Sequence, residues 1–241
     1  MKIGPGVYEI GAFKRGYFKA GYTKGFIVEY EEGLIIVDTF YDGDAKLFLD
    51  EIARMGKTPQ DIKHIALTHA HRGHLGGMAT LKRLSGAPIY AHEWEADIIA
   101  GNRPIHNPSL FAFDPIQAWP IISVGQLTAR WNKFDPLPVD QLVDEGDEIG
   151  PLQVVHTPGH TPGHLAFYWP KRKVLFTGDA FVTWPLITPG WRSTMLNEPQ
   201  SWATLERMAQ LDVEVIGPGH GSSIAKGGSA VLKALLNKRP V

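Results

Sequence analysis

Three histidines stand within six residues, His69, His71 and His74, in the run Thr68-His69-Ala70-His71-Arg72-Gly73-His74. Imidazole is the commonest protein ligand for zinc and similar metals, so this density reads as a candidate metal site. Three other places deliver side chains of the same kind on a strand end or tight loop. They are His160 in Thr157-Pro158-Gly159-His160, Asp179 after Thr177-Gly178, and His220 in Pro218-Gly219-His220-Gly221. Neutral imidazole and ionised carboxylate suit zinc, iron or manganese. The chain has no cysteine, which excludes thiolate ligands, thiolate nucleophiles and disulfides together.

The elements that must carry these residues alternate. Short apolar or aromatic runs at 7–10, 17–22, 26–30 and 34–37, punctuated by glycines, read as strands. Residues 45–55 have helical apolar spacing, and Gly56 offers a left-handed cap. Residues 64–67 form a strand that runs into the histidine cluster. Helices are expected at 75–84 and 93–100, with a strand at 88–91 between them. Gly76-Gly77 fits close packing where the first of these helices begins. The second half repeats the theme: strands at 142–143, 148–149, 152–156, 165–169, 174–177 and 213–216, and helices at 202–211 and 226–238. Alternation of this kind predicts α/β layers with part of the sheet mixed or parallel. Both halves run a strand into an Asp-led loop (34–38 and 174–179), a hint of internal duplication. Residues 102–140 hold six prolines among Phe111, Phe113, Trp119, Trp131 and Phe134, too aromatic for a disordered linker, and read as an inserted lid or wall. The expectation is one domain over 1–241.

With 24 basic and 25 acidic residues the formal net charge is −1, which leaves no electrostatic footprint for nucleic acid. The N-terminus lacks an apolar signal core, and no apolar run approaches the roughly 20 residues of a membrane span. A cytoplasmic protein with a small-molecule substrate, and neither nucleic acid nor membrane as partner, is expected. Assembly into a homo-oligomer is left open.

The motif order resembles the metallo-β-lactamase superfamily, whose signature is HxHxDH after a strand, then a single His, an Asp and a last His. Here it stands as His69-Ala70-His71-Arg72-Gly73-His74, His160, Asp179 and His220, with the 34–38 strand similar to the family's first motif. The resemblance implies an α/β fold, a four-layer αβ/βα sandwich of two mixed sheets packed face to face with helices on both outer faces. It implies that His69, His71 and His160 hold one metal, and that Asp179 bridges it to a second held by His74 and His220. Zinc, as one or two ions, is the implied cofactor, with iron or manganese as alternatives. Asp179 and His220 would stand at the reaction centre, where a metal-activated hydroxide attacks an acyl carbon or phosphorus.

One position departs from the pattern. Gly73 stands where the family carries Asp, a ligand of the second metal that also orients the nucleophile. A well-filled first site and a partly filled or empty second one are therefore expected. Among the other residues, Asp38 is expected to brace the metal loops by hydrogen bonding. His156 and His164 are read as structural, and His64, His92 and His106 as ordinary. Trp184 to Ile187 and Trp191 could line an apolar pocket. The leading function is a hydrolase of a small ester, thioester, lactone or β-lactam. The alternatives are an iron-dependent oxygenase similar to persulfide dioxygenases, a degenerate metal-binding protein without turnover, and a nuclease or phosphodiesterase, which the neutral charge disfavours.

Overall fold

The computed structural model describes residues 1–11, 23–106, 114, 116 and 134–239. Two sheets are built from short strands. The first follows chain order: β1 (Lys2–Gly4), β2 (Val7–Ile10), β3 (Gly25–Tyr30), β4 (Gly33–Val37), β5 (Ile62–Ala66), β6 (Ile89–Ala91) and β7 (Gln141–Leu142). It is antiparallel from β1 to β4 and parallel from β4 to β7. The second comprises β8 (Glu148–Ile149), β9 (Leu152–His156), β10 (Leu165–Trp169), β11 (Val174–Gly178) and β12 (Val215–Pro218), in the spatial order β12-β11-β10-β9-β8. There β11 and β12 are parallel and the remaining pairs antiparallel. Both sheets are thus mixed.

Side-chain alternation sorts the apolar residues into layers. Phe26, Val28, Ile35, Val37 and Ala66 of the first sheet meet Leu152, Val154, Phe167, Val174 and Phe176 of the second in a shared core. On the outer face of the first sheet Ile27, Leu34, Ile36 and Ile65 pack against Phe48 and Ile52 of α1 (Lys46–Arg54), Leu75 of α2 (Arg72–Leu75), Leu81 of α3 (Met78–Ser85) and Ile98 of α4 (Glu93–Ile99). On the outer face of the second, Ala166, Tyr168, Leu175 and Ile216 pack against Trp202, Leu205 and Met208 of α5 (Glu198–Met208) and Leu232 of α6 (Gly228–Leu236). Because both faces of each central strand are covered, Leu34-Ile35-Ile36-Val37 reads as a continuous apolar run. The result is the expected αβ/βα sandwich.

Several boundaries differ from the sequence reading. The single helix expected over 75–84 is two helices, α2 and α3, separated at Gly76-Gly77. A Cβ at Gly76 would lie 2.4 Å from the Tyr41 backbone, and one at Gly77 2.9 Å from the Thr39 carbonyl oxygen, so neither position has room for a side chain. Helix α5 starts four residues before its apolar spacing does, because Asn197 accepts a hydrogen bond from the Gln200 N–H and caps it. The strand expected over 17–22, and Phe111, Phe113, Trp119 and Trp131 of the insertion, lie outside the described residues. No helix among the described residues is long and apolar enough to cross a membrane.

Candidate metal centre

The histidines and the aspartate leave the sandwich at one edge. His69 and His71 follow β5, His74 sits on α2, His160 is on the loop after β9, and Asp179 and His220 come directly after β11 and β12. All are buried except His71, which is half-buried. His69 Nε2 is 3.0 Å from His71 Nδ1, which is 2.9 Å from His160 Nε2. Asp179 Oδ2 lies 3.8 Å from His69 Nε2 and 3.5 Å from His160 Nε2. Zinc–nitrogen bonds of 2.0–2.1 Å in a tetrahedron need donors about 3.3 Å apart, and the observed spacings bracket that figure.

The outer nitrogen of each ring is already engaged, so the inner one is left with its lone pair. His69 Nδ1 is 3.0 Å from Thr68 Oγ1, and His71 Nε2 is 3.1 Å from the His106 carbonyl oxygen. His160 Nδ1 is 3.5 Å from Thr194 Oγ1, whose hydroxyl donates to the Trp191 carbonyl. Such partners fix the tautomer and the ring orientation of a ligand. Burial holds His69 and His160 well below the ordinary histidine pKa and takes His71 to about 4. Burial would raise the Asp179 carboxyl, but His220 and His74 outweigh it and hold it well below the usual range. Neutral imidazoles around an ionised carboxylate are the protonation states a metal requires.

His74, Asp179 and His220 form a second cluster that shares the aspartate. His74 Nε2 is 3.4 Å from Asp179 Oδ1, and His220 Nε2 is 3.2 Å from Asp179 Oδ2. His74 Nε2 and Asp179 Oδ1 are buried and make no hydrogen bond of ordinary geometry. The two ligand atoms form only a stretched ion pair, and a cation held by both would satisfy them in place of the His74 Nε2 proton. The donor set therefore fits a metal at both clusters, more completely at the first.

Asp38 does what the sequence suggested. Its Oδ1 accepts the Thr68 N–H at 2.8 Å, while its Oδ2 accepts the Thr68 hydroxyl and the His74 Nδ1–H, both at 2.8 Å. Burial depresses His74, but the Asp38 and Asp179 carboxylates hold its pKa up at about 10. Asp38→Asn keeps the shape but turns an N–H toward a neighbouring donor. We expect metal affinity to fall about 10- to 100-fold, measured by competition with a chelating dye. An unchanged affinity would remove Asp38 from this role.

At Gly73 the structure adds a residue that sequence reasoning missed. A Cβ there would lie 3.3 Å from Tyr41 Cε2 and 3.4 Å from Thr23 Cγ2. A side chain there would press on the Tyr41 ring, which would have to give by a few tenths of an ångström and whose hydroxyl is hydrogen-bonded to Thr23. Thr23 Oγ1 in turn is 3.3 Å from His220 Nδ1. Burial, with Asp179 nearby, pushes the Tyr41 phenol up to about 12, so it stays protonated. Nothing in the spacing of Phe40-Tyr41 announced this contact.

The other histidines divide as well. His164 is fully buried; its Nδ1 is 2.7 Å from Thr157 Oγ1 and its Nε2 accepts the Asp179 N–H at 3.0 Å, so it aims the Asp179 loop. His92 and His156 stack with centroids 4.9 Å apart and planes 14° apart, and Asp144 Oδ1 lies 3.7 and 3.9 Å from them. His92 Nδ1 accepts the Trp94 N–H, which leaves the proton on the nitrogen facing Asp144. In stacked rings the in-plane lone pairs run parallel instead of converging, which suits a hydrogen-bonded cluster better than a metal.

A cavity of ≈510 Å³ lies beside the first cluster, lined by Trp94, Ile98, Arg103, Pro104, Ile105, His106 and Leu196. His106 touches His71 through its carbonyl, and the Leu196 N–H donates to the His160 carbonyl at 3.2 Å. The Arg103 guanidinium lies 4.0 Å over the Trp94 ring. Trp184 to Ile187 and Trp191, suggested as pocket walls, are not among these residues. The Trp191 ring lies against His220 with centroids 4.4 Å apart and planes tilted by 31°, and Leu186 and Ile187 are exposed.

Comparison with known proteins places this geometry. The metallo-beta-lactamase superfamily matches residues 20–220. A metallo-beta-lactamase family protein of Thermus thermophilus, TTHA1429, superposes with a TM-score of 0.69 at 24% identity, covering 97% of this chain and 79% of that one. TTHA1623, solved in a di-iron-bound form, gives 0.61 at 27% identity over 83% of this chain and 88% of that one. The hydroxyacylglutathione hydrolase of Aeromonas hydrophila is 28% identical over 77% of this chain, and the match spans 56% of that enzyme's length.

Proposed function

Since the chain belongs to the metallo-beta-lactamase superfamily, we propose that it is a metal-dependent hydrolase of a small ester, thioester, lactone or β-lactam. The observation that carries the reading is the convergence of His69, His71, His160 and Asp179, each with a ligand atom turned inward. When bound, a metal ion supplies Lewis acidity, polarising a carbonyl and making water acidic enough to attack near neutral pH. The chain's own contribution is placement. Thr68, the His106 carbonyl and Thr194 hold the imidazoles in their tautomers, and His164 holds the Asp179 backbone. The cavity walled by Trp94, Ile98 and Leu196 offers an apolar surface for an acyl group beside the cluster. The likeness to a hydroxyacylglutathione hydrolase favours a thioester within the substrate class.

The second cluster has only His74, Asp179 and His220 among the described residues, with Tyr41 against Gly73. We expect one tightly held ion and a second at reduced occupancy. The test is metal analysis of protein purified without added metal, alongside hydrolysis of an aryl ester, a glutathione thioester, a lactone and a cephalosporin. One equivalent of metal with turnover of a panel member supports the reading. Two full equivalents remove the account of the second cluster, and no turnover with metal supplied removes the hydrolase. A mononuclear iron oxygenase is the second reading; the di-iron form of TTHA1623 supports iron as the metal, and the incomplete second cluster supports a single ion. Iron in the purified protein with oxygen consumption on a persulfide would replace hydrolysis.

A further inference from the structure

Glu95 lies outside the ligand set, yet it is a carboxylate with no exposure at all. It stands on α4, beneath the two loops that carry His71 and His160. Its Oε2 accepts the N–H of Ala70, the residue between His69 and His71, at 3.0 Å. Its Oε1 accepts the hydroxyl of Thr161, the residue after His160, at 2.5 Å. The Gly163 N–H is a third donor, and burial pushes the carboxyl up to about 7 against these bonds. Gly163 approaches closely because it has no side chain: a Cβ there would lie 2.8 Å from His92 Nδ1 and 3.1 Å from Glu95 Cγ.

Burying a carboxylate is costly unless hydrogen bonds replace its water. Here each oxygen takes a donor from a different sheet's loop, since the Ala70 loop follows β5 and the Thr161 loop follows β9. We propose that Glu95 is a positioning residue: by joining these two loops it sets the separation of His71 and His160, whose inner nitrogens lie 2.9 Å apart. This rests on the metal-centre reading of those histidines. An apolar residue of similar size would fill the space but would leave the Ala70 and Gly163 amides buried without acceptors, and the loops free to part.

The test compares the full chain with Glu95→Gln and with Thr161→Val, which removes one bond and leaves the carboxylate. The probes are zinc, by competition with a chelating dye, and cobalt(II), by its visible absorption. Glu95→Gln is expected to weaken zinc binding about 10- to 100-fold and to shift the cobalt bands, with far-ultraviolet circular dichroism unchanged. Thr161→Val is expected to weaken zinc binding by a smaller factor in the same direction, and it decides the matter if the glutamine variant does not fold. Amide exchange in the metal-free protein supplies a readout independent of metal, with Ala70 and Gly163 losing protection in Glu95→Gln. Unchanged affinity, unchanged bands and unchanged exchange would overturn the proposal. If the parent binds neither metal, the metal-centre reading fails instead, and exchange at Ala70 and Gly163 alone decides whether Glu95 holds the loops.

Discussion

Asp179→Asn is expected to strip metal from both clusters and to lower hydrolysis at pH 7 by at least about 10³-fold, some 4 kcal/mol of barrier at 1.36 kcal/mol per tenfold. No other residue among those described belongs to both clusters. Its Oδ2 faces His69, His160 and His220, and its Oδ1 faces His74. Asparagine keeps the shape but loses the charge, and its amide turns two protons toward nitrogens whose lone pairs point inward. Any single histidine variant removes one donor from one cluster, so its effect should be smaller. The measurement is metal content after dialysis, with initial rates on whichever panel substrate the parent turns over. An asparagine variant that retains the parent's metal would show that the shared carboxylate is not a ligand.

Gly73→Asp alone is expected not to add an equivalent of metal, although the family's signature has Asp at this place. The position is helical, and glycine there forgoes about 1 kcal/mol of helix propensity relative to alanine. The steric reason is the Tyr41 ring, 3.3 Å from where a Cβ would stand. Forcing a carboxyl beside it overpacks the site, and such overpacking costs roughly 1–3 kcal/mol. The single variant should therefore unfold at a lower temperature with unchanged metal content. Gly73→Asp combined with Tyr41→Ala has the room, and its metal content should rise to two equivalents. Equilibrium dialysis with metal analysis and thermal unfolding on the three proteins decides this. Full second occupancy in the single variant, with no loss of stability, would show that Tyr41 does not control the cluster.

Much of this was legible in the chain. Leu34 to Val37 is apolar on every residue because both faces are covered, and strands of that kind announce themselves. Most ligand candidates follow strands in a fixed order, so local spacing pointed to the six residues that the fold brings together at the two clusters. Asp38 was legible too, as a carboxylate ending a buried strand. What escaped depends on contacts between distant segments. Tyr41 matters only because α2 brings Gly73 against it, and Glu95 only because two loops from different sheets descend on α4. Neither fact has a local signature. The contact between Trp191 and His220 escaped for the same reason: an aromatic residue reads alike in the sequence whether its ring meets a histidine or another apolar side chain.

The division of donors between the sheets has a consequence for the amount of protein present. His69 and His71 belong to the first sheet's loops, and His160, Asp179 and His220 to the second's. An ion held by both would be a fastener across the open edge of the sandwich, because only the folded chain would offer it all the donors at once. By mass action, free metal at a hundredfold excess over its dissociation constant adds about 2.7 kcal/mol to folding stability. Domains of this size are held by only about 5–15 kcal/mol in total. Metal supply would then govern how many copies escape proteolysis, in addition to how fast each one works.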